Sequence, residues 1–229
     1  MKQSHTLNIE TTADGSVTLY RDDIDEHYHS VKGALAESLH VYLDLGWRRF
    51  ASCHDAVRVF EVGYGTGLNA ALTAVAAAEA SVPTAYFSVE LYPVAPELTE
   101  RLYHDQASEY ASCFKMVNEA EWGINTDINP WFVLRKMEDN LLTMEIPRNI
   151  DVVYFDAFAP EKQPEMWTEH VFGKLYRAMA PGGILTTYCA KGAVRRLLQK
   201  VGFVVERLAG PPGGKREVIR ATRPLALPE

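Results

Sequence analysis

The stretch "VRVFEVGYGTGLN", residues 57–69, runs from β-formers through a glycine-rich turn into the start of a helical, alanine-rich segment. Its first half is apolar almost without alternation, the pattern of a strand buried on both faces of a parallel sheet. Gly63, Gly65 and Gly67 let the backbone turn tightly and approach a ligand, and the helix expected from about Leu68 offers free N–H groups at its N-terminus. The spacing discriminates between ligands. A dinucleotide fingerprint, G-x-G-x-x-G, needs glycine at position 68, where this chain has leucine, so a dehydrogenase is disfavoured. The G-x-G-x-G loop suits S-adenosylmethionine, whose carboxylate and ammonium stand where a dinucleotide carries a pyrophosphate.

Outward from this unit, strand and helix alternate through "LNAALTAVAAAEA", "TAYFSVE", "APELTERLYH", "DVVYFDAF", "MWTEHVFGKLYRAMA", "GGILTTYC", "GAVRRLLQKVG", "FVVERLA" and "REVIRATR". This reads as an α/β fold, a mainly parallel sheet with helices on both faces. "CFKMVNEAEWGINTDINPWFVLRKMED" reads as a two-stranded region, and "TLNIETTADGSVTLYRD" as a hairpin turning at Asp14-Gly15. "GALAESLHVYLDLGW" reads as a helix carrying Leu35, Leu39 and Leu43 beside Val41 and Tyr42. The expected organisation is one domain over residues 1–229, with a hairpin and helix extension in 1–50 and the cofactor-binding core in 51–229.

Ligands of such sheets sit at the carboxyl ends of the strands, near the topological switch point. Three carboxylates fall at those ends. Glu90 closes "AYFSVE" and is placed to accept hydrogen bonds from both hydroxyls of a ribose. Glu138 and Asp139 close "WFVLRKMED"; either can accept from an adenine amino group, and Asp139 is the preferred one. Asp156 ends "VVYFD", where a rigid buried strand would hold it at the reacting centre. An aliphatic amine is protonated at neutral pH and has no lone pair to attack with, so a carboxylate there can hold it and take its proton. Phe158 and Trp167 follow as candidate aromatic surface for a planar base.

Composition narrows the classes further. The 229 residues carry a net charge of −7 and three dispersed cysteines, Cys53, Cys113 and Cys189, with no CxxC, so no disulfide framework or zinc site is suggested. The N-terminus lacks the apolar core of an export signal, and no apolar run approaches the roughly 20 residues of a membrane span. A cytoplasmic protein is expected, with no membrane contact and no obligate protein partner. His27, His29 and His40 have no acid or cysteine at ligand spacing, and no metal is expected. Charge is nonetheless uneven: from Lys191 to Arg223 nine Lys and Arg face only Glu206 and Glu217, a local balance of 9 − 2 = +7.

"EVGYGTGLNA", "DVVYFDAFAPEKQPEMWTEHVFGKLYRAMAPGGILTTYCAKGAVRRLLQKVGF", "GGKREV" and the upstream "YHSVKGALAESLHVYL" together resemble the methyltransferase module of the MnmC family, in its stand-alone, MnmD-like form. The resemblance covers roughly residues 20–223, and "DAFAPEKQPEMW" is its most specific part. It implies a Rossmann-like class I fold and S-adenosylmethionine-dependent methylation of the exocyclic amine of 5-aminomethyl-(2-thio)uridine at the tRNA wobble position. By the same implication Glu61, Gly63, Gly65, Gly67 and Asn69 line the methionine part of the cofactor, Glu90 holds ribose, Asp139 lies by adenine and Asp156 is the catalytic acid or base. Bifunctional members carry an FAD-dependent oxidase domain as well. This chain reaches only Glu229, so no FAD is expected, and Glu138-Asp139 stands where some relatives have Gly-Asp.

The resemblance gives the basic segment a partner, the anticodon region of tRNA. In "GAVRRLLQKVG", Val194, Leu197, Leu198 and Val201 take the core face, which turns Arg195, Arg196, Gln199 and Lys200 outward; "GPPGGKRE" presents Lys215 and Arg216 on a loop. Arg195, Arg196, Lys215 and Arg216 are the expected phosphate contacts. Glu37 and Tyr28 are expected near the cofactor pocket. Two other readings stay open on these residues: a polyamine aminopropyltransferase, and a catalytically silent RNA-binding module.

Overall fold

The computed structural model describes residues 7–12, 15, 17–23, 25–28, 33–104 and 110–225. Asp14 of the expected hairpin turn and His29 lie outside the described residues. The chain begins with β1 (Leu7–Thr11), β2 (Val17–Arg21) and β3 (Glu26–His27), an antiparallel three-stranded sheet rather than a two-stranded hairpin. The segment after Arg21 turns back and pairs Tyr20 with His27, adding the third strand.

Next comes a continuous helical rod: α1 (Ala34–Glu37), a π-helical stretch (Ser38–Arg48) and α2 (Arg49–Ala51). The helix is where its apolar content predicts, but its winding is not. In a π-helix residues five apart share a face. The buried set is therefore Glu37, Ser38, Val41, Tyr42, Leu43, Gly46 and Trp47, while Leu35 and Leu39 are only half-buried. The wider winding brings Glu37 and Tyr42 round together toward the ends of the central strands.

The remaining elements are β4 (Val57–Val62), α3 (Leu68–Ala80), β5 (Thr84–Glu90), α4 (Pro96–His104), α5 (Ala111–Glu119), β6 (Asn125–Asn129), β7 (Phe132–Glu138), β8 (Ile150–Phe155), a 3-10 turn (Pro164–Met166), α6 (Glu169–Ala178), β9 (Met179–Thr187), α7 (Gly192–Val201), β10 (Val204–Ala209) and β11 (Glu217–Thr222). Cys113–Glu119, read above as strand, is helical. Phe114 and Val117, three apart, are buried while Lys115 and Met116 are exposed, so helical periodicity outweighs the β-character of the residues. α6 starts where Thr168 accepts from the Val171 N–H (3.3 Å), and α7 stops at Gly202 in the left-handed region.

The sheet order is β10-β11-β9-β8-β4-β5-β7-β6, parallel from β9 to β7 with antiparallel β6 at one side and the β11–β10 pair at the other. The chain leaves β4 toward β5 and β7, then returns to place β8 and β9 on the opposite side, so the switch point lies between β4 and β8. Two apolar clusters cover the faces. Val41, Tyr42, Trp47, Val59, Leu72 and Tyr154 belong to one, and Phe60, Val153, Phe155, Phe172 and Leu185 to the other. Burial of each such side chain contributes about 1.5–3 kcal/mol. The helical rod shares a cluster with the central strands, so it is part of the core rather than an appendage. Among the described residues no helix is long and apolar enough to cross a membrane.

Candidate active site

Strand register builds the site. Val62 lies opposite Phe155 on one side and Val89 on the other, so the next residues, Gly63 and Asp156, are neighbours, with Glu90 beside Gly63. Glu90 pairs with Glu138, and the Asp139 N–H donates to the Glu90 carbonyl (3.1 Å). Asp156, Gly63, Glu90 and Asp139 thus form a row across four strand ends, about 14 Å long at the usual inter-strand spacing. A cleft runs over it, lined by all four residues together with Arg21 and Phe158.

Gly63 is required by closeness as well as by conformation. Its φ is +87°, and a Cβ there would lie 2.6 Å from the Asp156 carbonyl oxygen. Gly65 donates its N–H to Glu90 Oε2 (3.2 Å), and the Tyr92 N–H donates to Oε1 (3.0 Å). Glu90 is thereby fixed at the rim with acceptor capacity to spare, and burial raises its pKa. Gly65 and Gly67 lie outside the lining of the cleft: Gly65 packs under Tyr28, and Gly67 starts α3.

Asp156 opens onto the cleft and is held from behind. Tyr42 Oη donates to its Oδ1 (2.6 Å) and Asn69 Nδ2 to its Oδ2 (2.9 Å). The same Asn69 nitrogen donates to Glu61 Oε1 (3.0 Å), and Ser88 Oγ donates to Glu61 Oε2 (2.7 Å). Because both partners of Asn69 are acceptors, its amide can face them only with the NH₂ group. Its Oδ1 is left buried without a protein partner. Burial pushes Asp156 up to about 7, against the hydrogen bonds from Tyr42 and Asn69; Glu37 raises it further and Lys215 lowers it. Glu61, fully buried, is pushed up to about 8 by burial.

Two consequences can be measured. Tyr42→Phe removes one of the two donors that favour the carboxylate, so the Asp156 pKa should rise further. The alkaline-rising limb of the pH–rate profile should move up by about 1 pH unit, with activity at pH 7 falling about fivefold; an unmoved limb counts against Asp156 as the titrating group. For Glu61 the folded pKa lies above the ordinary value of 4.5, so the folded state binds the extra proton. The contribution of Glu61 to stability is fully present below pH 4.5 and is lost as pH rises through about 8, by an amount on the order of 5 kcal/mol. Glu61→Gln, whose amide can donate to Ser88, should flatten this loss and raise Tm at pH 9; an equally steep decline in the variant would exclude Glu61 as its source.

The loop after Asp156 braces itself. The Phe158 N–H donates to Gln163 Oε1 (3.2 Å), Trp167 Nε1 donates to the Phe158 carbonyl (2.7 Å), and Tyr188 Oη donates to the Ala157 carbonyl (2.9 Å). Phe158 faces the cleft, edge-on to Tyr28 (5.2 Å) and under the Arg21 guanidinium (5.6 Å). Beyond Asp156 a second cavity opens, bounded by Glu26, Glu37, Phe158, Tyr188 and Lys215. Asp156 lines both spaces, the only carboxylate among the described residues to do so.

Several expected site residues sit elsewhere. Trp167 is 6% exposed and packs against Phe155, Phe172 and Tyr188, so it offers no face to a base and acts instead as a brace. Glu138 is exposed outside the cleft, because successive strand residues point to opposite faces. Glu61 and Asn69 lie beneath the cleft floor and bear on it through Asp156. Lys215 points inward to Glu37 Oε2 (2.6 Å) rather than to solvent. The basic segment as a whole is mostly neutralised: Lys191 pairs with Glu161, Lys200 with Glu169, Arg207 with Glu217, Lys215 with Glu37 and Arg220 with Glu206, while Arg223 bonds carbonyls of Tyr176 and Met179. Arg195 is half-buried with its Nε unpartnered, and Arg196 and Arg216 are exposed. Sequence reading missed Tyr42, Gln163, Tyr188 and Arg21. The first three lie in or beside stretches it had marked; Arg21, on β2, gave no signal.

A family model described as S-adenosyl-L-methionine-dependent methyltransferase matches residues 97–224, more than half of the chain. The chain belongs to this methyltransferase family. The methyltransferase is 34% identical to the tRNA 5-methylaminomethyl-2-thiouridine biosynthesis bifunctional protein MnmC of Pseudomonas fluorescens, over 86% of this chain and 32% of that protein. It is 33% identical to the MnmC of Pseudomonas savastanoi, over 90% of this chain and 33% of that one, so it spans about a third of the length of these relatives. Its fold is that of MNMC2 from Aquifex aeolicus (TM-score 0.81, 21% identity, 99% of this chain and 73% of that one) and, less closely, spermidine synthase from Thermotoga maritima (TM-score 0.63, 14% identity, 99% and 72%). The methyltransferase fold thus agrees with the α/β, mainly parallel architecture expected from sequence.

The residues present fit the cofactor that the family implies. A Cβ at Gly63 would fill the floor of the cleft, Asn69 Oδ1 is a buried acceptor lacking a donor, and Glu90 and Asp139 present acceptors along the row. A sulfonium nucleoside with an ammonium group and hydroxyls supplies the complementary donors.

Proposed function

We propose that the methyltransferase transfers a methyl group from S-adenosylmethionine to the exocyclic amine of 5-aminomethyl-(2-thio)uridine at the tRNA wobble position. The observation that carries this reading is Asp156 standing between two cavities, one lined by the row of strand-end acceptors and one bounded by acids and aromatic rings. The names of the two Pseudomonas relatives, which specify 5-methylaminomethyl-2-thiouridine in tRNA, support the choice of amine.

In this reading the cofactor supplies an electrophilic methyl on its sulfonium. Glu90 takes the ribose hydroxyls, Asp139 lies by adenine, and Gly63 lines the methionine end, with Asn69 acting from beneath through Asp156. Asp156 receives the substrate ammonium by hydrogen bond and accepts its proton, which a carboxyl with a pKa of about 7 does at neutral pH. Tyr42 and Asn69 fix the carboxylate's orientation while Phe158 covers the base.

Phosphate contact falls on Arg195, Arg196 and Arg216, the cations of the segment that, among the described residues, neither join an ion pair nor, like Arg223, bond backbone carbonyls. α7 rises from the carboxyl end of β9, the edge at which both cavities open. Replacing all three by alanine should reduce the slope of log affinity against log salt by about 2–3; an unchanged slope would place the RNA elsewhere. The reaction is tested with tRNA carrying 5-aminomethyl-2-thiouridine, labelled S-adenosylmethionine and nucleoside mass spectrometry. Label in the methylaminomethyl nucleoside is expected; none, with the cofactor bound, would sink the tRNA assignment.

A further inference from the structure

Lys215 raises a question that the proposed reaction leaves open. It sits on the loop between β10 and β11, and it reaches back into the cavity on the far side of Asp156. Its Nζ is 2.6 Å from Glu37 Oε2 and 4.1 Å from the centroid of the Tyr188 ring. A carboxylate on one side and an aromatic face on another are the two groups that hold an organic ammonium out of bulk water. The cavity beside them is also lined by Asp156 and Phe158, so any cation held there lies next to the acid that would take a proton.

The energetics make this cation exchangeable rather than merely present. Glu37 is nearly buried, with a side chain 10% exposed, and a buried carboxylate left unpaired is costly. A cation standing against it offsets that cost. Lys215 is 38% exposed, so its long stem has a route out of the cavity. The loop that carries it is pinched at its neck: Gly210 donates to the Arg216 carbonyl (3.0 Å), and a Cβ on Gly210 would lie 1.7 Å from the Lys215 carbonyl oxygen. That closure aims the lysine inward, while Gly213 and Gly214 leave the tip of the loop free of side chains.

We propose that the Glu37 carboxylate and the Tyr188 ring form a subsite for a primary ammonium, which Lys215 fills from within until the substrate's own aminomethyl group displaces it. The proposal rests on the reading of the substrate as an amine and adds where its charge is received. The ammonium enters a place already shaped for –NH₃⁺, next to Asp156, and Glu37 is never left without a counter-charge. Tyr188, bonded through its hydroxyl to the Ala157 carbonyl, ties this subsite to the loop that carries Asp156.

The test uses the full chain loaded with S-adenosylhomocysteine, titrated calorimetrically with benzylammonium chloride, an aminomethyl group on a planar ring, and with benzyl alcohol as the neutral counterpart. Lys215→Met should bind benzylammonium at least tenfold more tightly than the native protein, with benzyl alcohol unchanged. Adding Glu37→Gln should abolish the gain. Lys215→Gln carries the same expectation should the Met variant not fold. Equal benzylammonium affinity in native and variant proteins, or an equal gain for the alcohol, would overturn the proposal. Methyl transfer to tRNA plays no part in this measurement. An enzyme inactive on tRNA but with the opened ammonium site sinks only the tRNA reading, and an active enzyme with unchanged ammonium affinity sinks only the subsite.

Discussion

Asp156→Asn is expected to lower the rate of methyl transfer at neutral pH by about 10³-fold while leaving the affinity for S-adenosylhomocysteine within a few-fold of native, since general-base catalysis typically contributes 10²–10⁴. Single-turnover rates and calorimetric binding separate the two effects. The expectation follows from position: Asp156 faces both the cleft and the second cavity, and its two oxygens are oriented by Tyr42 and Asn69. Asparagine keeps the shape but sets an amide NH₂ either against the donor NH₂ of Asn69 or against Tyr42, whose hydroxyl must then turn and accept. Asp156→Ala is therefore the companion variant, free of that conflict. The native enzyme should gain activity as pH rises through about 7, where the carboxyl ionises, and both variants should lose this limb. A variant that keeps more than a tenth of native rate would remove Asp156 from the chemistry.

Gly63→Ala is expected to weaken binding of S-adenosylhomocysteine by at least about 100-fold, and Gly65→Ala by less than tenfold. At Gly63 the left-handed backbone costs an L-residue about 1–2 kcal/mol, and the added Cβ meets a backbone oxygen of Asp156 at 2.6 Å. Overpacking of that kind costs roughly 1–3 kcal/mol more. Relief requires β4 and β8 to part where the cleft floor and the Asp156 carboxylate meet. At Gly65 the nearest atoms belong to the Tyr28 ring, at 3.1 Å, and a side chain can move where a strand cannot. Similar losses at the two positions would show that the loop acts through flexibility rather than through this contact.

Much of the row Asp156, Gly63, Glu90 and Asp139 was legible along the chain because each residue ends a strongly apolar strand, and parallel strands place such ends side by side. The choice between Glu138 and Asp139 was not, since neighbouring strand residues differ only in the face they take. Trp167 was misjudged for a related reason: its motif position marks the loop, and only packing shows that the indole turns into the core and supports Phe158 through its N–H. The basic segment misled more broadly. Counting charges along the sequence gave +7, while three of the nine cations find carboxylates from outside the segment in the fold, one of them Glu37, 178 residues away from Lys215.

Sequence alone determined the α/β class, the glycine loop, the cofactor type and the carboxylates at the strand ends, because these depend on local spacing and on burial patterns that periodicity reveals. Tertiary structure alone decided the second layer: Tyr42 behind Asp156, Asn69 shared between two acids, and Lys215 turned inward onto Glu37 and Tyr188. Those contacts join elements far apart in the chain, and one depends on a π-helical winding that an α-helical reading of the same residues rotates away from the site. Hydrogen bonds and ion pairs between distant segments leave no period in a sequence.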